Sequence, residues 1–290
     1  MKKNILFIVN PISGVGRQKV IEKLIAGHLD KKKYEPVIAY TKARAHATTL
    51  AAEAAQNNFD VVVAVGGDGS VNETGKGLVG SHTAMAIMPA GSGNGLARHL
   101  GIPMKLEKAM QVINEGRIMS IDTVKMNGER FFGMAGVGFD AHIGWEFARY
   151  GKRGFSSYVK VFLREYPRYK AQKYELTLDG KKMEREALLI SFANGSQYGN
   201  NATIAPHADI GDGLIDVCIL RDFHISKAAG LTWKLFTKKM HSSKYLEILR
   251  AKEVIVKQKA ETAHLDGEPV LVGHELKMQV DPLSLKVLVK

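Results

Sequence analysis

Val61-Val62-Val63-Ala64-Val65-Gly66-Gly67-Asp68-Gly69-Ser70 decides the fold class. Its first five residues are apolar and mostly β-branched, the mark of a strand buried on both faces of a parallel sheet. A glycine-rich turn follows, and from Val71 to Leu78 the apolar spacing becomes helical. The unit recurs on either side. Ile5 to Val9, Val37 to Tyr40 and Ala84 to Met88 read as strands. Gln18 to Leu29, Ala45 to Gln56 and Gly95 to Leu100 read as the helices that follow them. Strands alternating with helices imply right-handed βαβ units and an α/β, doubly wound sheet.

Beyond Thr123 the texture changes. Tyr174 to Asp179-Gly180 reads as a strand running into a hairpin turn, with Ala187 to Ala193 as a return strand. Leu214 to Leu220, Glu253 to Val256, Leu276 to Val280 and Leu285 to Val289 are further expected strands, and Ile225 to Leu249 suggests one or two basic amphipathic helices. The expected division is an α/β domain over 1–122 and a mainly antiparallel β domain over 123–280. The last strand, 281–290, is a candidate to complete the first domain.

Composition narrows the function classes. The chain has 290 residues, 45% of them hydrophobic and 24% charged, as in a folded globular protein. Its 41 Lys and Arg against 29 Asp and Glu leave a net charge of +12, and the sequence pI is near 9.6, which favours an anionic partner. The single cysteine, Cys218, excludes an intramolecular disulfide and a cysteine-based zinc site, and suits a reducing cytoplasm. The longest charge-free stretch, Gly77 to Ala97, is broken by Pro89 and five glycines. Neither membrane insertion nor export is expected.

Three expected strand ends carry glycine-rich turns: Asn10-Pro11-Ile12-Ser13-Gly14-Val15-Gly16, Gly66 to Ser70, and Pro89-Ala90-Gly91-Ser92-Gly93-Asn94-Gly95. In open α/β sheets ligands bind beyond the carboxyl ends of the strands, and glycine lets backbone N–H groups approach a phosphate. Three such turns at one edge suggest a nucleotide-phosphate site. The P-loop signature is absent, and the first turn lacks the third glycine and later acid of a dinucleotide fold. Asp68, among three glycines, has little packing role, and a carboxylate beside phosphates calls for a cation such as Mg²⁺. Far downstream, Leu265-Asp266-Gly267-Glu268 is a second acidic turn. Phosphoryl transfer to an alcohol needs a proton acceptor, and Glu268 and Asp68 are the two candidates.

Asn10-Pro11 with Gly14, Gly66-Gly67-Asp68-Gly69, Gly91-Ser92-Gly93-Asn94 and Asp266-Gly267-Glu268 together resemble the diacylglycerol kinase catalytic family, which includes soluble bacterial lipid kinases, sphingosine kinases and ceramide kinases. The likeness spans essentially the whole chain. It implies an N-terminal nucleotide domain similar to NAD kinase and phosphofructokinase, a C-terminal β-rich lipid domain and a site in the cleft between them. It assigns ATP to Asn10, Pro11 and Gly14, to Thr41, Arg44 and His46, to Gly66, Gly67, Gly69, Ser70 and Glu73, and to Ser92, Gly93 and Asn94. Asp266 and Gly267 are placed with the nucleotide, and Arg149 and Arg153 resemble a pair of arginines reaching its phosphates.

The resemblance makes Glu268 the proton acceptor of the bacterial enzymes and Asp68 that of the sphingosine kinases, with Asp68 otherwise joining Asp122 in the Mg²⁺ network. Asp209, Asp212 and Leu214 resemble a separate structural metal loop, with a plain hairpin as the alternative. The third turn departs from the bacterial pattern: Gly95 stands where a carboxylate is usual, and Gly-Ser-Gly-Asn is closer to the sphingosine kinases. The acid that meets a sphingoid amine falls near His142, with Asp140 two residues earlier. The lipid is therefore diacylglycerol or a sphingoid base.

Arg149 to Lys173 holds eight basic residues and one acid, and Lys227 to Lys259 is a second basic stretch. Both suit docking on an anionic membrane surface. The expectation is an ATP- and Mg²⁺-dependent lipid kinase, cytoplasmic and peripheral at the inner membrane face, with a homodimer left open and no nucleic-acid partner. The competing readings are an NAD kinase-like or sugar-phosphate kinase, a non-catalytic lipid-binding homologue and a nucleic-acid-binding module. The last would leave the acidic turns without a role.

Overall fold

The apolar runs become the centre of a parallel sheet. A computed structural model describes residues 2–11, 20–150 and 155–290, and divides the chain into two units, Met1–Asp122 with Pro282–Lys290, and Thr123–Asp281. In the first unit the strands are β1 (Lys3–Val9), β2 (Tyr34–Tyr40), β3 (Val61–Gly66) and β4 (Ala84–Pro89). They are ordered β2-β1-β3-β4, all parallel. Every residue of β3 and β4 is buried. Ile5, Phe7, Val61, Val63 and Val65 share one face, packed with α1 (Ile21–His28) and α5 (Leu106–Glu115). The alternate residues Leu6, Ile8, Val62 and Ala64 are buried as well, so both faces are covered and the strands need no polar alternation. The sheet tolerates Pro36 because β2 is an edge strand, with no neighbour to receive the missing N–H.

The other helices of this unit are α2 (His46–Gln56), α3 (Asp68–Leu78) and α4 (Gly95–His99). Helix α5 adds to the elements expected from the sequence; Leu106, Ala109, Met110 and Ile113 form its buried stripe.

The chain leaves the first unit within β5 (Arg117–Met126) and returns within β18 (Glu275–Val289), whose Val287 pairs with Met85 of β4. The two C-terminal strands expected separately are thus one strand, with Leu283 at φ +47° inside it.

The second unit contains β6 (Glu129–Phe131), β7 (Met134–Gly138), α6 (Phe139–Tyr150), α7 (Phe155–Glu165), β8 (Gln172–Leu178), β9 (Lys181–Ala187) and β10 (Leu189–Ala193). After these come the short β11 (Gln197–Gly199) and β12 (Ala202–Thr203), β13 (Ile215–Leu220), α8 (Ala228–Phe236), β14 (Leu246–Ala251), β15 (Glu253–Lys257), β16 (Thr262–Leu265) and β17 (Glu268–Leu271). One antiparallel sheet runs β14-β13-β10-β7-β16-β17, and the unit's portion of β18 pairs with β15, which continues to β8 and β9. Val137, Ile190, Phe192 and Val217 from the first set pack with Tyr174, Leu176, Val254 and Leu276 from the second, giving a two-layer β core.

Two expectations are corrected here. The return strand of the Asp179-Gly180 hairpin is Lys181–Ala187, not Ala187–Ala193; the latter stretch largely forms β10, in the other sheet. Strand β9 is highly charged because it is an edge, where charge discourages pairing with other chains. In the basic stretch 225–249 the α-helix ends at Phe236, and a single 3-10 turn follows at Met240–Ser242. Lys238 takes φ +60°, and residues 246–251 join β13 as a strand.

Candidate active site

The order β2-β1-β3 sends successive connections to opposite sides of β1, which opens a crevice at the carboxyl ends of β1 and β3. Asn10 follows β1 there. Its N–H donates to Val65 O at 3.3 Å, and its Nδ2 donates to Ser70 Oγ at 3.3 Å, in the first turn of α3. Pro11 is exposed beside it, and Gly14 lies outside the described residues.

Asp68 opens α3, and its carboxylate fastens the second glycine turn to the third. Gly95 N donates to Asp68 Oδ1 at 2.7 Å and Asn94 N to Oδ2 at 2.9 Å. Asn94, buried and left-handed at φ +52°, closes the third turn on itself: Gly91 N donates to its Oδ1 at 3.2 Å, and its Nδ2 donates to Gly91 O at 2.8 Å. The turns approach backbone to backbone. A Cβ on Gly91 would sit 2.4 Å from Gly67 Cα, and one on Gly93 would sit 2.7 Å from Asp68 Oδ2. Gly66 O accepts from Ala90 N at 2.8 Å, and Ser92 is exposed at the rim. Gly69 and Ser70 complete the first turn of α3, whose N-terminal dipole favours an anion.

A cradle that side chains would fill, backed by a helix N-terminus, fits nucleotide phosphates. The half-exposed Asp68 fits Mg²⁺, which needs only one or two carboxylates beside phosphate oxygens and water. Among the described residues no group of three or more His, Cys, Asp or Glu gathers into a metal cage.

Three more candidates, Thr41, Arg44 and His46, follow β2, and Glu73 of α3 reaches the same segment. Glu73 reaches from α3 to the start of α2, accepting from Ala45 N at 2.9 Å and Ala47 N at 3.3 Å. His46 Nδ1 accepts from Lys42 N at 3.0 Å, Thr41 N donates to Val9 O at 3.0 Å, and Arg44 is exposed. Asp122 is fully buried, and its Oδ1 accepts from Leu283 N at 2.7 Å, tying the outgoing strand to the returning one.

In the second unit, Asp266 and Gly267 are the central pair of the β16–β17 hairpin, at φ +47° and +84°. Asp266 takes three backbone amides: Phe132 N at 2.9 Å on Oδ2, with Gly133 N at 2.8 Å and Met134 N at 3.0 Å on Oδ1. Glu268, the next acid, is exposed at the start of β17.

Asp140, in the first turn of α6, is buried, and its Oδ2 accepts from Ser191 Oγ at 3.1 Å and lies 2.9 Å from His264 Nε2. At that last contact the Nε2 position is not aligned as a hydrogen bond, and the pair is an ion pair when His264 is protonated. Ser191 Oγ also meets the Tyr198 hydroxyl at 2.5 Å. Burial pushes the His264 pKa down, but Asp140 and, more weakly, Asp266 outweigh it, so the net shift is upward. His142 Nε2 pairs with Glu165 Oε2 at 3.0 Å.

Arg149 is exposed and ion-paired to Glu146 at 3.1 Å, and Arg153 lies outside the described residues. Asp209 and Asp212 each accept the amide two residues on, Gly211 N and Leu214 N, both at 3.0 Å, and Asp212 faces Arg250 at 3.7 Å.

Of the Asp140–His264–Ser191–Tyr198 cluster, the sequence singles out Asp140 alone. The signals available were slight: His264 is a polar residue inside an apolar strand. Gly136 stands opposite it, and a Cβ there would come within 2.4 Å of Asp140 and 2.6 Å of His264.

Comparison with known proteins finds a family match in each unit. Residues 4–126 match the model of the diacylglycerol kinase catalytic domain, and residues 133–289 that of the YegS C-terminal NAD kinase beta sandwich-like domain. A diacylglycerol kinase of Mycobacterium tuberculosis is 30% identical over 272 residues, covering 90% of this chain and 87% of its own. One from Bacillus subtilis is 29% identical over 233 residues, covering 78% and 76%. A solved diacylglycerol kinase structure from Bacillus anthracis shares the fold, with a TM-score of 0.77 at 21% identity over 99% of this chain and 97% of that one. No helix among the described residues is long and apolar enough to cross a membrane. With its glycine turns fastened by Asp68 and its acidic hairpin carried on a β sandwich, the chain belongs to the diacylglycerol kinase catalytic family.

Proposed function

We propose that the chain transfers the γ-phosphoryl group of ATP, with Mg²⁺, to the primary hydroxyl of diacylglycerol at a membrane surface. The observation that carries the choice of lipid is the condition of Asp140 and His142. A sphingoid base brings an ammonium group, which needs an accessible carboxylate. Asp140 is buried and committed to His264 and Ser191, and position 142 is an imidazole held by Glu165. Diacylglycerol has no ammonium to satisfy, and relatives bearing the name diacylglycerol kinase are 29–30% identical.

In this reading the turns at Asn10, Gly66–Ser70 and Gly91–Asn94 bind the nucleotide, and Asp68, itself oriented by Asn94 and Gly95, organises its phosphate end. Mg²⁺ supplies charge neutralisation at the phosphates. Glu268 accepts the hydroxyl proton as the lipid oxygen attacks the γ-phosphorus and ADP leaves. Asp68 is the alternative acceptor.

The Gly91-Ser92-Gly93-Asn94-Gly95 turn, without a carboxylate at 95, favours a sphingoid base as the second reading. Labelled ATP offered with diacylglycerol and with sphinganine, side by side in mixed micelles, decides between them. Transfer to diacylglycerol alone is expected. Transfer to sphinganine alone overturns the choice of lipid, and transfer to neither, with ATP still bound, overturns the kinase reading.

A further inference from the structure

Two basic stretches stand out in the sequence, and the structure separates them. In the helical pair α6–α7, Glu146 pairs with both Arg149 and Arg164, and Glu165 pairs with Arg164 and His142, so part of the positive charge is neutralised. Around α8 nothing similar occurs. Between Phe223 and Leu246 the chain has five lysines, Lys227, Lys234, Lys238, Lys239 and Lys244, and no Asp or Glu. Among the described residues none of the five pairs with a carboxylate; Lys234 is held by Ser242, through its carbonyl at 2.9 Å and its hydroxyl at 3.1 Å.

The same helix is apolar on two sides. Leu231 and Leu235, one turn apart, pack inward on the cluster of Phe139, Val161, Tyr166 and Leu220. An ordinary surface helix turns polar residues outward. Here Ala229, Trp233 and Phe236, spaced i, i+4, i+7, form a second stripe, and no residue of α8 is buried. Trp233 is 56% exposed and Phe236 37%, with Ile225, in the turn before the helix, at 45%. Lys239 Nζ lies 5.1 Å from the centre of the Trp233 ring, so a cation rides on the aromatic plate. Trp beside lysines, in an acid-free stretch of chain, is the composition that places a helix at the boundary between lipid headgroups and acyl chains.

We infer that the outward face of α8, centred on Trp233 and flanked by Lys227, Lys238 and Lys239, docks the protein on an anionic lipid bilayer. The inference rests on the proposed lipid kinase activity only in that a membrane lipid must be reached. The charge complementarity and the second apolar stripe stand without it. Trp233 and Ile225 enter the interface, while the lysines contact anionic headgroups.

The test is co-sedimentation of the full chain with vesicles of phosphatidylcholine, pure or with one-third phosphatidylglycerol. Binding to the anionic vesicles, weakened by salt, is expected. Trp233→Ser should weaken it roughly tenfold through lost interfacial burial, and Lys238→Gln with Lys239→Gln roughly twentyfold or more at low salt. Val37→Ser, an exposed apolar site in the other unit, should leave it unchanged. Wild-type-like binding by both α8 variants overturns the inference. So does a wild-type dimer in sedimentation velocity that Trp233→Ser splits, since a second copy would then cover the stripe. Turnover of a short-chain diacylglycerol in free solution should be unaffected by Trp233→Ser. Because vesicle binding is read without turnover, failure of every lipid to accept phosphate would break the proposed activity alone.

Discussion

Two acid-bearing glycine turns, one in each unit, use their carboxylates differently. In Gly66-Gly67-Asp68-Gly69 a single carboxylate is both fastener and half-exposed charge: it holds Asn94 N and Gly95 N and still meets solvent. In Asp266-Gly267-Glu268 the roles are divided. Asp266 takes three backbone amides at the 132–134 turn, and Glu268 stands exposed two residues later. Where one side chain does both jobs, no substitution can remove the chemistry and spare the scaffold. Where two share them, each can be removed alone.

The sharpest test of that difference is Glu268→Gln. As the proposed proton acceptor on an exposed hairpin, it should lose roughly 10²- to 10⁴-fold in turnover with thermal unfolding unchanged. Wild-type turnover would return the role to Asp68. Asp68→Asn should also abolish turnover, but at a structural cost. An amide keeps one acceptor oxygen and turns an NH₂ towards the other backbone N–H, so the third turn loosens. The separating measurement is hydrogen exchange at Gly95 N: faster in Asp68→Asn, unchanged in Glu268→Gln. Equal exchange in both would end the two-role account of Asp68.

How far the sequence could be read depends on distance along the chain. Val61–Gly66 and Ala84–Pro89 announce themselves because a strand covered on both faces must be apolar throughout. The mixed α/β and antiparallel β architecture followed from such local patterns. Charged β9 was hidden because an edge strand obeys a different rule, and β14 because its sequence, Leu-Glu-Ile-Leu-Arg-Ala, lacks the alternation that marks a half-buried strand. At the site, Gly-Gly-Asp-Gly stands out by composition. That Asp68 grips Asn94 and Gly95, 26 and 27 residues on, does not. Asp140 and His264 are farther apart still, and only the crossing of α6 with β16 brings them together. Spacing reveals local chemistry; pairs made by topology leave no periodic trace.

Asp266→Ala should act on stability before chemistry. It orphans three backbone donors that now meet an ionised acceptor. Each such bond contributes about 1.5–3 kcal/mol, and shared loss with partial rehydration brings the expected cost to about 2–4 kcal/mol. Denaturant midpoints read it directly. Asp266→Asn, which retains an acceptor, should fall between. A loss of turnover without loss of stability would place Asp266 with the nucleotide instead of the scaffold.

The smallest expected effect lies in the buried cluster beneath that hairpin. His264 is enclosed, which disfavours its charge, yet Asp140 at 2.9 Å and Asp266 nearby raise its pKa above the ordinary 6.5. Ser191 and Tyr198 are the neutral partners on the same side. A histidine whose folded pKa is raised stabilises the fold fully below its unfolded value and loses that contribution as pH climbs through the folded one. Stability should therefore decline from about pH 6.5 upward, over a window set by the raised value. His264→Gln should flatten this slope, and Asp140→Asn should flatten it too by removing the main charge that holds the proton. Urea unfolding at a series of pH values from 6 to 9 measures it. A slope that persists in His264→Gln would mean that another group titrates and that the imidazole facing Asp140 is neutral; that carboxylate would then lack a cation beside it, which is the one route by which the sphingoid-base reading regains its ground.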